Sequence, residues 1–471
     1  MFHILAKTIY NIELSRTNFY IHIYIYILLI LENIEDVNLY KYNVNPPGIY
    51  EGIADGLVYK SKQRAASYVT IVWHIDGAPL INVRHLQMWL ITGFLIEVKN
   101  SFALKNIIVC GLWYGETKPD FDLFQIHFVQ QIKKLRDDGF YVSIEDYKEL
   151  FYLDVEAALH DLPAKAASLK FKQFNGRFGC SICYQPGQKL NKNSLVWIYP
   201  YLEQQSPLRT HQEVCLHAEA AEHTGQDIFG VKGHSVVLDI VSVPKEIPLD
   251  YMHLVLEGEL KRKLKYFFNT QNDILSARDI ATINNMLPAI KYPHDFSKKV
   301  KVINIKSIKR AKAGELQIML LHVLLPIFKH VLQNDIFCHF GMFISAIQTL
   351  NSNINDMEDI RKSNELLHHY VKLNVDLFGE DAQTYTAHAL LHLPQQRVEH
   401  GAPLILMSNF VFEGFIATIK RQFHGTRGII SQMIRNIGVL QSVDTVSKMV
   451  GGTPIVQSLT KKLSNRFCSE L

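Results

Sequence analysis

The sequence predicts an α/β protein in which a strand-bearing unit precedes a mostly helical block. Three observations predict it. Runs rich in β-branched and aromatic residues cluster before residue 178. Residues 249–268 and 315–398 carry apolar positions at helical spacing. A Cys-x-x-Cys, Cys180 and Cys183, stands where one pattern gives way to the other. The 471 residues (54.1 kDa, mean hydropathy +0.02) are 48% hydrophobic and 20% charged, enough to fill a large core. Wholesale disorder is thereby excluded. Six cysteines are too sparse for a disulfide scaffold. A chain of this length suggests two or three folding units, at roughly 100–200 residues each.

Residues 1–66 read as an atypical N-terminal leader, and the first 40 read equally as an imperfect gene model. The apolar run Phe19 to Leu31 covers 13 residues and is interrupted by His22. A membrane-spanning helix needs about 20. Its alternating Tyr and Ile favour a buried strand or helix. No basic stretch with a small-residue cleavage site precedes it, so no signal peptide is expected. A soluble intracellular protein with reduced thiols follows.

Residues 68–76, YVTIVWHID, read as a buried strand ending on Asp76, and 105–112 as a second strand. Residues 120–137 have an acidic start and helical periodicity. FYVSI and YKELFYLDVEAAL read as further strands, after which Pro163 opens a helix just beyond Asp161. Residues 67–178 thus form a mixed α/β unit. Residues 179–400 are mostly helical, as in ELQIMLLHVLLPIFKHVLQ and FGMFISAIQTL. Residues 401–446 supply closing helices, the first of them amphipathic with Glu413 near its middle, and 447–471 form a tail. The chain contains no internal repeat and no low-complexity tract.

Cys110, Cys215, Cys338 and Cys468 are isolated and read as ordinary thiols. Cys180 and Cys183 sit in GRFGCSICYQPG, a glycine-flanked turn of the zinc-knuckle kind. A redox role would want a thioredoxin-like βαβ context, which is not evident. Two further ligands are needed. His388 and His392, four apart on an expected helix, would share one face. His211 with His217, and His253, are alternatives.

Asp76, Asp161 and Glu413 form a strand–strand–helix series of acids. In RNase H-like nucleic-acid enzymes such carboxylates hold two divalent cations for phosphodiester chemistry. Three acids among 45 Asp and Glu are also easily found as capping or solvated carboxylates. Asp250 and His253, three apart, read as a pair that caps and packs a helix, or that lines such a site. Glu257, one turn after His253, competes with Glu413 as the third acid.

The strings HIDGAPL, GLWYGETKPDFDLF, HDLPAKAASLKFKQFNGRFGCSIC, GVKGHS, DYMHLVLEG, HALLHLPQQRVEHGAPL and FVFEGFIATIKRQFHGTRG together resemble transposase domains of animal CACTA-type (EnSpm-like) elements. The similarity runs from about residue 50 to 446. The layout is similar to the wider superfamily of Transib transposases and the V(D)J recombinase core. The resemblance implies an RNase H-like catalytic fold interrupted by a large, mostly helical insertion. It implies Asp76, Asp161 and Glu413 as catalytic carboxylates on Mg²⁺ or Mn²⁺. It implies Cys180, Cys183, His388 and His392 as structural Zn²⁺ ligands that tie the two ends of the insertion together. Double-stranded DNA as partner, a homodimer or larger synaptic assembly and a nuclear location accompany it.

The formal charge of +4 hides an asymmetry. Glu259 to Lys312 carries a net +9 and all other residues −5. This stretch includes Lys261, Arg262, Lys263 and Lys265, and a denser group at Lys298, Lys299, Lys301, Lys306, Lys309, Arg310 and Lys312. Such clusters favour phosphate backbones, although a solvated face is the plainer account. Three functions compete. The first is an active transposase cleaving and joining DNA. The second is a non-catalytic or domesticated DNA-binding relic, suggested where INVRH follows HIDGAPL and where Ile416 and Ala417 replace the family's Asn-Gly. The third is a zinc-stabilised helical interaction protein without a nucleic-acid role.

Overall fold

The computed structural model describes residues 49–62, 67–81, 86–97, 107–144, 147–294, 296, 299–422, 429 and 431–437, with short pieces at 13–14, 18–20 and 27. Most of the expected leader, Lys298, Cys468 and the tail lie outside the described residues. No helix among the described residues is long and apolar enough to cross a membrane.

A single mixed sheet organises the first half of the chain. Its strands are β1 (Glu13–Leu14), β2 (Asn18–Tyr20), β3 (Ser67–Ile81), β4 (Leu86–Leu95), β5 (Ile108–Gly115), β6 (Phe140–Ile144) and β7 (Tyr147–Leu159), in the order β1-β2-β5-β4-β3-β7-β6. Strands β3, β4 and β5 form an antiparallel meander. The chain then crosses over and β7 runs parallel to β3, with β6 paired antiparallel on its outer edge. A short helix, α1 (Leu57–Ser61), precedes β3, and the crossover carries α2 (Phe121–Asp137). The Asp120 side chain caps α2 by accepting the Leu123 N–H at 3.1 Å. Phe124, Phe128 and Ile132, spaced by four, are buried against the sheet. Phe128 meets Trp73 of β3 at 4.8 Å between ring centroids.

Strand β4 (Leu86–Leu95) lies where no strand is expected from the sequence. Nine of its ten residues are buried, so both faces are apolar and the alternation that marks a half-buried strand is missing.

Beyond β7 the chain forms α3 (Leu162–Ser168), a small hairpin of β8 (Gln188–Lys189) and β9 (Trp197–Ile198), and α4 (His211–Thr224). The helical block follows. Helix α5 is π-helical over Met252–Leu260 and α-helical over Lys261–Phe267; α6 is Ala277–Met286 and α7 Ile305–Arg310. Helix α8 runs through Ala313–Ile318, the π-helical Met319–Val323 and Leu324–Phe328. Its widened turn lies just before Pro326, whose ring would otherwise meet the His322 carbonyl. Then come α9 (Asn334–Leu350), α10 (Met357–Phe378), α11 (Tyr385–Leu390) and α12 (Leu393–His400). The long helical stretch expected over 315–398 is therefore several helices around a core of their own. Finally α13 (Phe410–Arg421) returns to the sheet. Its Phe412, Phe415, Ile416 and Ile419 pack on the face opposite α2.

Candidate active site and metal centre

Strands β3 and β7 place two of the acids. Their parallel register pairs His74 with Leu159. Carried two residues further, the same register sets Asp76 alongside Asp161. Asp161 leaves the strand as the N-cap of α3, its Oδ1 accepting the Ala164 N–H at 2.6 Å, with Pro163 in the first turn as expected. Asp76 Oδ1 accepts the N–H of Gly77 at 2.6 Å. Gly77 has no room for a side chain, because a Cβ there would lie 2.3 Å from the Trp89 indole of β4.

The third acid arrives with α13. Phe412 stacks on the His74 ring at 4.7 Å with 3° between planes, and on Phe94 at 5.6 Å. Neighbouring Glu413 then reaches Asp76. Burial, the Glu413 and Asp161 charges and a hydrogen-bonding interaction with Glu413 together push the Asp76 carboxyl up to about 8, against the pull of the Gly77 N–H. Glu257 faces elsewhere: its Oε2 pairs with Lys261 Nζ at 2.6 Å, and that ammonium also donates to the Ala311 carbonyl at 2.8 Å.

Asp250 and His253 prove to be both a helix-start pair and part of this acidic pocket. Asp250 Oδ2 accepts the His253 N–H at 2.8 Å and meets His253 Nδ1 at 2.6 Å. Its Oδ1 accepts the buried Asn409 N–H at 2.7 Å, just before α13. One carboxylate thus holds the helix that carries Glu413 and orients the imidazole whose Nε2 lies 3.9 Å from Glu413 Oε1. Burial alone would lower the His253 pKa, but Asp250, Asp161 and Glu413 raise it to about 9.

Two further histidines were not foreseen. His74 and His160 are buried beneath the acids, at 6.5 Å between ring centroids. His160 Nδ1 lies 2.8 Å from the Leu159 carbonyl oxygen and 3.3 Å from the Ile75 nitrogen. Burial holds both imidazoles neutral, His160 at about 3 and His74 well below its ordinary value. Their signal in the sequence was a polar ring inside an apolar strand, in VWHID and ALHD.

The four residues Cys180, Cys183, His388 and His392 converge, with one ligand atom from each all within 4.8 Å of one another. Among the described residues this is the group of such donors that can hold one ion. Cys180 Sγ lies 3.5 Å from His392 Nε2, and Cys183 Sγ 3.5 Å from His388 Nε2. A tetrahedral zinc with ordinary Zn–S and Zn–N bonds would separate S from N by about 3.6 Å, so the set could hold a metal such as zinc. Burial raises the Cys180 pKa, but the adjoining Cys183 thiol and the two imidazoles bring it well below normal. Burial lowers that of His388, leaving the neutral ring a ligand requires.

The loop is braced on all sides. Arg209 Nε donates to the carbonyls of Cys180 and Cys183 at 3.0 and 3.2 Å. Tyr199 accepts the Gly179 N–H at 3.1 Å and stacks its ring on His388 at 5.3 Å. A Cβ on Gly179 would lie 2.2 Å from the Gln173 carbonyl oxygen. The two histidines do not share one helix, as their spacing suggested. α11 ends at Leu390 and His392 lies in the turn before α12. Pro394, in the first turn of α12, cannot bond the Leu390 carbonyl four residues back. His211 lies beside Cys215 and His217 beside Tyr184 and Phe229, so neither joins Cys180.

Of the expected basic residues, Lys299, Lys301, Lys306, Lys309, Arg310 and Lys312 are exposed around α7. Of the earlier cations, Lys265 is exposed as well, whereas Lys261, Arg262 and Lys263 are engaged internally, which corrects the inclusion of those three in a phosphate-facing cluster. Arg262 pairs with buried Glu259 at 2.6 Å, and Lys263 is buried with Nζ on Asn374 Oδ1 at 2.6 Å. No protein-family model matches the chain, and no curated protein matches it.

Proposed function

We propose that this protein is a DNA-processing phosphoryl transferase of cut-and-paste transposase descent, on an RNase H-like fold interrupted by the helical block. The observation that carries the reading is the Asp76 carboxyl, lodged against Asp161 and Glu413 and pushed up to about 8 by burial and their charge. Hard carboxylate oxygens in this arrangement suit Mg²⁺ or Mn²⁺. Two such cations would polarise the scissile phosphate and favour in-line attack by water or a 3′-hydroxyl. The chain's own residues supply the positions. Asp161 is fixed by capping α3, Glu413 by the Phe412 stack, and His253 by Asp250. The exposed cations around α7 would hold the duplex backbone, which positions without specifying sequence. Pairing of two DNA ends implies a dimer or larger assembly, working in the nucleus.

The test is Mn²⁺- or Mg²⁺-dependent nicking or strand transfer on the terminal repeat flanking the gene. Asp161→Asn is the informative variant, because Asn keeps the cap that Ala would remove at a cost of about 1 kcal/mol. Activity is expected to fall by at least about a hundredfold in Asp161→Asn. Equal activity in wild type and variant would overturn the reading. No activity from the wild type on its own repeat, with DNA binding retained, would establish the non-catalytic relic instead. That second reading is favoured by Ile416, which is buried on the sheet where the family pattern has Asn.

A further inference from the structure

Glu156 is an oddity of strand β7. It is fully buried, its Oε1 lies 3.1 Å from Nδ1 of equally buried His400, and its Oε2 has no partner among the described residues. Burial holds the carboxyl well above its ordinary range. An aliphatic residue would fill this place at lower cost, since a buried polar group without full hydrogen bonding is destabilising. Its position explains why it matters. The register of β3 on β7 shifts between Ile71 and Val72: Ile71 pairs with Val155, but Val72 pairs with Ala157. Glu156 is the extra residue of a β-bulge. Without it, the register of the lower half of the strand would carry His160, and not Asp161, alongside Asp76. Bulges of this kind re-aim the side chains beyond them.

What holds the bulge is α12. His392, in the turn that leads into α12, and Gln396 and His400 on the helix itself recur every four residues and lie in one row. His392 is one of the Cys₂His₂ donors. The Gln396 amide brackets Leu249, its Oε1 accepting the Leu249 N–H at 2.8 Å and its Nε2 donating to the Leu249 carbonyl at 2.9 Å. Leu249 forms a parallel bridge with His160, and the Glu246 carbonyl accepts the Ala158 N–H at 2.8 Å. His400 closes the row on Glu156. Lys62 braces the same point from the other side, donating to the Val155 carbonyl and pairing with Glu246 at 2.7 Å.

We propose that Glu156 is a positioning residue. As the extra residue of the β7 bulge, gripped by His400, it sets the register that brings Asp161 beside Asp76, and the row from His392 to His400 couples that register to the Cys₂His₂ centre. The proposal rests on reading Asp76 and Asp161 as one site, but its test needs neither activity nor a bound cation. Neighbouring residues of parallel strands have Cα atoms close enough for a disulfide. In an Asp76→Cys/Asp161→Cys protein, mild oxidation should give a 76–161 cross-linked peptide, measured by mass spectrometry. Glu156→Ala in that background should lower the cross-linking rate at least tenfold, with circular dichroism unchanged. His400→Ala, which leaves β7 itself intact, should do the same. Glu156→Gln keeps an acceptor for His400 and should restore the rate to within twofold. His392→Ala should slow it as well.

Unchanged cross-linking in folded Glu156→Ala or His400→Ala overturns the proposal, as does a Glu156→Gln protein as slow as the Ala variant. An unaffected rate in His392→Ala removes the coupling to the Cys₂His₂ centre. Failure of the acidic-site reading looks different. There the cross-link responds as described, while wild-type protein titrated with Mn²⁺ by calorimetry binds none.

Discussion

Asp76 shows at the scale of one side chain how the pocket is poised. A carboxyl forced up from 3.8 to about 8 by burial and two neighbouring acids works against folding once it must ionise. The unfolded chain loses this proton near pH 4, while the folded chain keeps it until about pH 8. The unfolded state binds fewer protons throughout that window, so stability falls as pH rises from about 4 to 8 and stays low above it. In metal-free protein, Asp76→Asn should therefore raise stability at pH 8 by about 1–3 kcal/mol and change little at pH 4. Mn²⁺ should reverse the order, stabilising wild type and leaving the variant where it was. Thermal melts at both pH values, with and without Mn²⁺, check this; parallel pH profiles for the two proteins would show that Asp76 carries no such load. Asp76 and Asp161 were legible in the sequence because each acid closes an apolar run, although β3 does not end on Asp76 as expected but continues to Ile81. Glu156 was not, since a carboxylate inside YKELFYLDVEAAL looks like one more polar position until pairing reveals the extra residue.

Helices α11 and α12 link the cysteine loop to the sheet, through His388 and His392 at one end and His400 on Glu156 at the other. Cys180 is separated from His392 by 212 residues and Cys183 from His388 by 205. A metal joining them closes a long loop and adds its binding energy to folding. Cys180→Ser should lower the thermal transition by on the order of 10 °C and abolish one equivalent of zinc per chain, measured by calorimetry and elemental analysis. Cys338→Ser, at an exposed isolated thiol, should change neither. Equal melting of the two variants would mean the four side chains meet without holding a metal. Here the spacing offered His388 and His392 among other candidates, and the resemblance singled them out, but neither gave their setting. HxxxH suggested one continuous helix, and Pro394 breaks it. The ring planes end up 87° apart, with centroids at 5.0 Å, facing the thiols from two sides. Strand β4 was missed for the opposite reason: burial on both faces erased the pattern by which strands are recognised.

For the whole molecule the distribution of charge is what can be tested. The total of +4 conceals +9 between Glu259 and Lys312, and the structure turns part of that stretch inward. Lys261, Arg262 and Lys263 are anchored on Glu257, Glu259 and Asn374 inside the helical block. Lys299, Lys301, Lys306, Lys309, Arg310 and Lys312 project into solvent. The second group is the dense one among the exposed cations, Lys265, Arg278 and Lys291 being exposed singly, and each phosphate contact contributes about 0.9 to the slope of log affinity against log salt. Replacing these six by Gln should lower that slope by about 2–5 on duplex DNA of any sequence, read by fluorescence anisotropy between low and moderate salt. Lys263→Gln should leave the slope alone and lower the melting temperature, because its ammonium lies buried 3.9 Å from the Phe378 ring centroid. An unchanged slope in the six-fold variant would move the duplex to another face, or leave a zinc-braced helical protein with no nucleic acid to hold.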